Sequence, residues 1–241
     1  MNLLFIIDPL ETLKIEKDTS FLMMREAQHR RHQIWVATPK EIKFLGDKVV
    51  VNAQQLLIND ESENWYEVTE SKDLISPNLD CIIMRKDPPF DMEYVYSTYL
   101  LEALENEGCR VFNRPQSIRD FNEKLAITKY PQFIAPSLVT ADLTAIKSFI
   151  KNHKEVVLKP LDGMGGSSVF RSRPDDPNLG VILETLTELG CRTIMVQKFI
   201  PQISAGDKRV LLIDGEPVPY SLARIPQGSD HRGNLAAGGR G

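Results

Sequence analysis

Cysteine is scarce in this chain, and its scarcity excludes two architectures. Cys81, Cys109 and Cys191 are scattered, odd in number and without CxxC spacing, which argues against a disulfide framework and against a zinc site. Each reads as a small buried thiol. Histidine is nearly as sparse. His29, His32, His153 and His231 show no metal-ligand spacing, and His29 and His32, on one helix face, have no third ligand beside them. No apolar run approaches the ~18 residues of a membrane-spanning helix. The opening MNLLFIIDPLE has no basic leader and its apolar run stops at Asp8, so it reads as a first strand and not as a signal peptide. Charge of one sign is not in excess either. Lys plus Arg number 29 against 33 Asp plus Glu, a net charge of −4, which gives no general reason to expect nucleic acid or an anionic membrane as partner. No internal repeat or low-complexity tract is found. A reduced, cytoplasmic, globular protein of one or two domains follows.

What is present is a succession of strand and helix signals. Residues 3–7 form a continuous apolar run closed by Asp8-Pro9, the pattern of a parallel strand buried on both faces. Asp18-Thr19-Ser20 supplies helix N-cap chemistry for a segment that reaches about Arg31. Residues 34–37 read as a second strand, and residues 42–51, broken by Gly46-Asp47, as a hairpin. Residues 52–77 are less legible, with Trp65 and Tyr66 as their anchor. A strand at 81–84 enters Arg85-Lys86-Asp87-Pro88-Pro89. A helix from about Met92 ends at Gly108, a C′ glycine, and Val111-Phe112 is a short strand. This βαβ…βαβ order predicts α/β with a mostly parallel sheet. Ligands of such sheets sit beyond the carboxyl ends of strands, which marks Asp8 and Arg85. A guanidinium on a loop stiffened by two prolines suits capture of a carboxylate or phosphate. A surface Arg85 paired with Asp87 is the plain alternative.

Asn113-Arg114-Pro115 marks a boundary. Ser117 is then expected to cap a short helix and residues 122–124 to begin another, interrupted at Pro131 and Pro136. A strand at 137–140, an amphipathic helix capped by Asp142, a helix over 179–189 closed by Gly190, and a strand at 193–199 complete a compact α+β unit over 122–200. Within it lies VVLKPLDGMGGSSVFR, residues 156–171. Lys159 precedes Gly163, Met164, Gly165, Gly166 and Ser167. Glycines let a backbone approach a ligand closely, and successive amides in such a turn form an anion-binding concavity. The context is strand, glycine loop, strand, without the GK[ST] ending of a P-loop. A hairpin lid over a polyphosphate is one reading, and an ordinary glycine-rich hairpin turn the other. A further hairpin over 209–222 turns at Asp214-Gly215. The last stretch, PQGSDHRGNLAAGGRG, is without periodicity and reads equally as a disordered tail or an active-site loop.

Lys124 at the start of this unit, Lys159 before the glycine turn, and the strand end Gln197, Lys198, Phe199 and Ile200 are in the order of the ATP-grasp ligases. The strings MRKDPPFD, NRPQSIRDFNEKL, LKPLDGMGGSSVFR, DKRVLLIDGEPVPYSLARIPQG and RGNLAAGGRG resemble prokaryotic glutathione synthetase, from about Asp8 to the final residue. The resemblance implies an N-terminal parallel-sheet, substrate-side α/β domain over 1–121, an ATP-grasp α+β lid over 122–200 and an incomplete C-terminal ATP-grasp subdomain over 201–241. It also implies the reaction: ATP phosphorylates the C-terminal carboxylate of γ-glutamylcysteine, and the amine of glycine attacks the acyl phosphate to give glutathione, ADP and phosphate.

Residue by residue, the resemblance implies that Lys124 and Lys159 hold ATP phosphates. Gly163, Met164, Gly165, Gly166 and Ser167 cover them. Gln197, Lys198, Phe199 and Ile200 form the adenine strand, with Asp207 toward the nucleotide. Arg85 binds the dipeptide. Arg209 and Arg224 neutralise charge at the reacting groups, and Arg232 and Arg240 ride on a closing loop. The family's ligands for Mg2+ or Mn2+ fall in a C-terminal portion that this sequence does not contain, so no metal ligand is assigned and the chain is expected to be inactive, or nearly so, alone. A homo-oligomer is implied for the full length. A non-catalytic nucleotide- or peptide-binding module and another ATP-grasp carboxylate–amine ligase are the alternatives.

Overall fold

The structure, a computed structural model, describes residues 1–59, 64–228 and 230–241. The interior of residues 52–77 at 60–63, and Ser229 of the final loop, lie outside the described residues. The chain forms two compact units, Met1–Asn122 and Glu123–Gly241.

The first unit is built on β1 (Asn2–Ile6), the apolar run that opens the chain. It is followed by α1 (Thr19–His29), β2 (Gln33–Ala37), β3 (Ile42–Leu45), β4 (Lys48–Ile58), β5 (Tyr66–Leu74), β6 (Cys81–Met84), α2 (Met92–Asn106), β7 (Arg110–Phe112) and α3 (Pro115–Asp120). Seven strands make one sheet in the order β3-β4-β2-β1-β6-β7, with β5 on β4. The β1–β2, β1–β6 and β6–β7 pairs are parallel, and β4 pairs antiparallel with β2, β3 and β5. The parallel part is therefore extended by an antiparallel wing built largely from the stretch that carried the weakest sequence signal.

Side chains alternate across a strand, and β1 shows the consequence. Leu4 and Ile6 pack with Trp35, Leu101 and Leu104 under α2. Leu3, Phe5 and Ile7 pack with Phe21, Met24 and Ala27 under α1. Both faces are covered, which is why the run is apolar throughout. Trp65 anchors the β4–β5 end, its ring 5.5 Å from that of Phe21. Asp18 caps α1, its carboxylate accepting from Ser20 N and Phe21 N. The helix over 115–120 starts three residues earlier than a Ser117 cap would set it: Arg114 is the cap, Pro115 opens the first turn and Ser117 lies inside it, because proline's fixed φ favours that position. Of the thiols, Cys109 is buried, Cys81 partly so and Cys191 exposed, so the buried-thiol expectation fails at Cys191, in the turn after a helix.

The second unit holds β8 (Ser137–Thr140), α4 (Leu143–His153), β9 (Val156–Pro160), β10 (Phe170–Ser172), α5 (Leu179–Thr187), β11 (Ile194–Lys198), β12 (Asp207–Ile213) and β13 (Glu216–Arg224). Four strands form an antiparallel sheet in the order β10-β9-β11-β8. Ile146 and Ile150 of α4 and Leu183 and Leu186 of α5 pack on Val156, Leu158, Ile194 and Val196. Asp142 caps α4. Strands β12 and β13 form a separate two-stranded hairpin. Residues 125–129 form a 3-10 turn and not a longer helix, because Pro131 cannot donate to an α-helical ladder. Among the described residues no helix is long and apolar enough to cross a membrane.

Candidate functional site

In the second unit β9 and β10 are the legs of a hairpin, with Leu158 opposite Phe170. The turn between them carries Gly163, Met164, Gly165, Gly166 and Ser167. Gly165 and Gly166 stand at φ +66° and +85°, which glycine adopts without a Cβ penalty. A Cβ on Gly166 would sit 3.0 Å from Asn234 Oδ1 and 3.2 Å from Arg232 Cδ, so this glycine is required by the close approach of the final loop. The base of the turn is pinned by Asp162, whose two oxygens accept from Arg192 Nη2 at 2.7 and 2.6 Å.

The turn borders a cavity of about 330 Å³ that Glu123, Lys124, Lys159 and Asn234 also line. Lys124 Nζ donates to the Gly163 carbonyl and pairs with Glu123. The Lys159 ammonium has no hydrogen-bond partner among the described residues. Burial, and then the neighbouring Lys124 charge, lower its pKa. Two ammonium groups beside a left-handed glycine turn make a small cavity suited to a polyanion, because Glu123 ion-pairs with Lys124 and Lys159 has no ion-pair partner among the described residues.

The strand end beyond is more committed than its sequence suggested. Gln197 Nε2 donates to Ser137 Oγ. Lys198 and Phe199 donate their amides to Pro136 and Glu155 carbonyls. Phe199 is buried, and the Arg171 guanidinium lies 3.9 Å from its ring centroid. Ile200 is half exposed, the apolar side chain left at the surface of this strand end.

Asp207 and Arg224 are register partners across β12 and β13. Arg224 grips Asp207 through a fork, Nε to Oδ1 and Nη2 to Oδ2, both at 2.7 Å. The sequence assigned them separate roles, and the structure joins them as one pair. Arg209 shares the Asp207 face of β12, by the two-residue period of a strand, and is exposed. The final loop is closed by backbone bonds between Ile225 and Arg240, 2.8 and 2.9 Å. Within it Arg232 donates Nη1 to the Gly166 carbonyl at 3.0 Å and forks onto Asp230. The loop therefore packs on the glycine turn. Arg240 is fixed by its backbone while its side chain is exposed. Asn234 and Asp230 were not singled out from the sequence. The NLAAGG string held the signal for the first, and the DxR spacing for the second.

His231 lies between these contacts. Its Nε2 is buried without a hydrogen-bond partner. Burial, opposed by Asp230 and assisted by the Arg171 and Arg232 charges, lowers its pKa below the ordinary 6.5. A group that binds protons less readily when docked favours docking above its free pKa and opposes it as pH falls through the lowered value. Amide hydrogen exchange in residues 232–238 is therefore expected to accelerate, beyond its intrinsic pH dependence, on acidification from about pH 7.5 to about pH 5. His231→Gln should flatten that extra change, and an unchanged profile in the variant would count against it.

In the first unit the neighbours β1 and β6 mark the point at which strand order reverses, with β2 beyond one and β7 beyond the other. Ligands of open α/β sheets bind outside the carboxyl ends at such a point. Arg85 follows β6 there. It does not pair with Asp87. Its Nε donates to Ser20 Oγ at 3.0 Å and its Nη2 to Thr19 Oγ1 at 2.8 Å. Lys86 is paired with Asp8 at 2.8 Å, and Asp8 also accepts from Asp87 N. Tyr94 donates its hydroxyl to the Lys86 carbonyl. Burial, then the Asp87 charge, push this phenol up to about 12, so it stays a donor.

Among the described residues no three His, Cys, Asp or Glu side chains gather at metal-ligand spacing. These residues do not by themselves fit a divalent cation, and no step is assigned to one.

Two family models match the chain: prokaryotic glutathione synthetase, N-terminal domain, over residues 1–119, and prokaryotic glutathione synthetase, ATP-grasp domain, over residues 123–241. A glutathione synthetase of Nitrosomonas europaea is 51% identical over all of this chain and 76% of its own length. Those of Ralstonia nicotianae and Escherichia coli are each 49% identical, over 100% and 98% of this chain. The chain thus spans about three quarters of the length of these relatives. Among solved structures, a D-cycloserine synthetase superposes with a TM-score of 0.58 at 13% identity, covering 98% of this chain and 78% of that one. An ATP-grasp RimK domain protein of Sphaerobacter thermophilus gives 0.58 at 17%, covering 87% and 68%. These last two bear on the fold alone. With both domain models accounting for nearly every residue, the chain belongs to the prokaryotic glutathione synthetase family.

Proposed function

We propose that this chain serves the ATP-dependent joining of γ-glutamylcysteine to glycine through an acyl phosphate, giving glutathione, ADP and phosphate. The observation that carries the reading is the cavity at which Lys124, the uncompensated Lys159 and the glycine turn meet. Phosphoryl transfer asks mainly for positioning and for charge to meet the phosphate oxygens, and this cavity offers both. Lys124 and Lys159 hold ATP phosphates. Gly163, Met164, Gly165, Gly166 and Ser167 cover them. Gln197, Lys198, Phe199 and Ile200 run along the adenine, Ile200 presenting its apolar face and Phe199 backing it. Asp207 acts through Arg224, holding that guanidinium for the reacting carboxylate, with Arg209 beside it. Arg232 and Arg240 belong to the loop that keeps water from the acyl phosphate. Arg85 takes a carboxylate of the dipeptide.

In domain terms, 1–121 serves the peptide, 122–200 is the lid and 201–241 begins the second half of the nucleotide site. A divalent cation, magnesium or manganese, would supply charge neutralisation at the phosphates, and no described residue is assigned as its ligand. The protein works in the cytoplasm, as a homo-oligomer in its full-length form, with neither nucleic acid nor membrane as partner.

ADP release by the chain, measured with ATP, magnesium, γ-glutamylcysteine and glycine, tests the reading. Release that needs both amino-acid substrates supports it, and ADP release or nucleotide binding indifferent to the dipeptide sinks it. A second reading, binding of nucleotide and dipeptide without turnover, is favoured by the lack of a gathered acidic triad among the described residues. Calorimetric binding of both ligands with no ADP formed would select it.

A further inference from the structure

Arg85 is anchored differently from the ion-paired arginines among the described residues. Arg30, Arg119, Arg171, Arg192, Arg224 and Arg232 each donate to a carboxylate. Arg85 donates to two hydroxyls, and among the described residues no carboxylate pairs with it. The difference matters electrostatically. A carboxylate partner orients a guanidinium and offsets part of its charge, whereas a hydroxyl orients it without that offset. The edge formed by Nε and Nη2 is engaged by Ser20 and Thr19. The opposite edge, Nη1 with the second N–H of Nη2, keeps the parallel pair of donors that a carboxylate accepts in bidentate fashion. The adjacent Lys86 is no competitor, because Asp8 already meets its charge. Arg85 is also exposed, at the carboxyl end of β6 where the strand order reverses. Thr19 and Ser20 are the first residues of α1, yet the cap of that helix is Asp18. Their hydroxyls are thus not needed to start the helix.

We propose that Thr19 and Ser20 are positioning residues whose hydroxyls set the Arg85 guanidinium, held by no ion pair among the described residues, as a receptor for the glutamyl α-carboxylate of the dipeptide substrate. The choice of carboxylate follows from the chemistry. The cysteinyl carboxylate must be free to receive a phosphoryl group, so a fixed, non-reacting receptor takes the other. This rests on the peptide-ligase reading given under Proposed function.

The test is a cycle between protein and ligand, read by calorimetry on the 241-residue chain. The ligands are γ-glutamylcysteine and its analogue with the glutamyl α-carboxylate converted to a carboxamide. The proteins are the natural chain, Thr19→Val with Ser20→Ala, Thr19→Ser with Ser20→Thr, and Arg85→Ala. The natural chain is expected to prefer the free acid by ~10-fold or more, the worth of one charge-assisted bidentate contact. The hydroxyl-free variant and Arg85→Ala should bind acid and amide alike. The exchanged pair, which keeps both hydroxyls, should restore the preference. ATP affinity and the thermal midpoint, measured in parallel, separate positioning from misfolding, since a merely structural role would move them and not the acid–amide ratio. A hydroxyl-free variant that retains the natural preference overturns the proposal while leaving the ligase reading standing. A natural chain that binds both ligands equally overturns it as well. A natural chain that binds neither ligand at millimolar concentration overturns the ligase reading and the proposal together.

Discussion

Lys159→Met is expected to weaken ATP binding by about a hundredfold, ~2.7 kcal/mol, because it removes the charge-assisted phosphate contact proposed for this partly buried ammonium. Methionine keeps most of the stem, so the packing along β9 survives. The same change should leave the ligand-free protein as stable or slightly more stable. Lys159 is already disfavoured as a cation by burial and by Lys124, and deleting it relieves that repulsion. The two readouts thus move in opposite senses, which a general loss of structure cannot imitate. The pH dependence has a definite sign. With its pKa lowered in the empty site, Lys159 loses its proton as pH rises before an ordinary lysine would, and a bound triphosphate draws the proton back. Nucleotide binding at alkaline pH should therefore take up a proton in the natural chain and less in the variant. Calorimetry with a non-hydrolysable ATP analogue in two buffers of different ionisation heat reads both quantities. An affinity within about threefold of the natural chain would place the phosphates elsewhere.

Much of this site was legible because its parts are local. Glycines at 163, 165 and 166, a preceding lysine and flanking β-prone residues specify a hairpin turn by short-range sterics alone, and the pairing of Leu158 with Phe170 is the result. The two-faced burial of β1 was equally legible, since a strand covered on both sides has no polar positions to alternate. Long-range choices were not. The β3–β4 hairpin was legible from Gly46-Asp47, but nothing in residues 48–58 states that the same strand will also pair with β2 and β5, because those partners are set by tertiary packing. The Asp207–Arg224 fork depends on the register across a hairpin with a bulge, which a one-residue slip would abolish. Thr19 and Ser20 were visible only as helix-start residues. Their second use needs the end of β6 beside the start of α1, a juxtaposition made by sheet order. Domain recognition was easier than any of these, because the motif strings on both sides of residue 120 are long and specific.

Leu158→Ala is expected to cost ~2–5 kcal/mol, the range for emptying a fully enclosed leucine site. Leu158 is completely buried on β9, opposite Phe170 on one side and Val196 on the other. Ile146, Ile150, Leu183 and Ile194 close over it. Two helices and two neighbouring strands frame the space, so collapse around the lost atoms is restricted and the cost should fall in the upper part of the range. The consequence should be confined to one unit. The core around Leu4, Ile6 and Leu101 belongs to the first compact unit and shares no cluster residue with that of Leu158. Thermal unfolding followed by calorimetry should then show the second unit's transition lowered by roughly 10 °C or more, with the first unit's nearly unmoved. Lys159 and the glycine turn are continuous with the same strand, so nucleotide binding at the proposed site would be linked to folding of this unit. A saturating ATP analogue should recover part of the loss, by ~2.7 kcal/mol at a hundredfold excess over its dissociation constant. Equal shifts of both transitions would mean that the two units unfold as one cooperative body, and a shift without nucleotide rescue would mean that β9 does not carry the phosphate site.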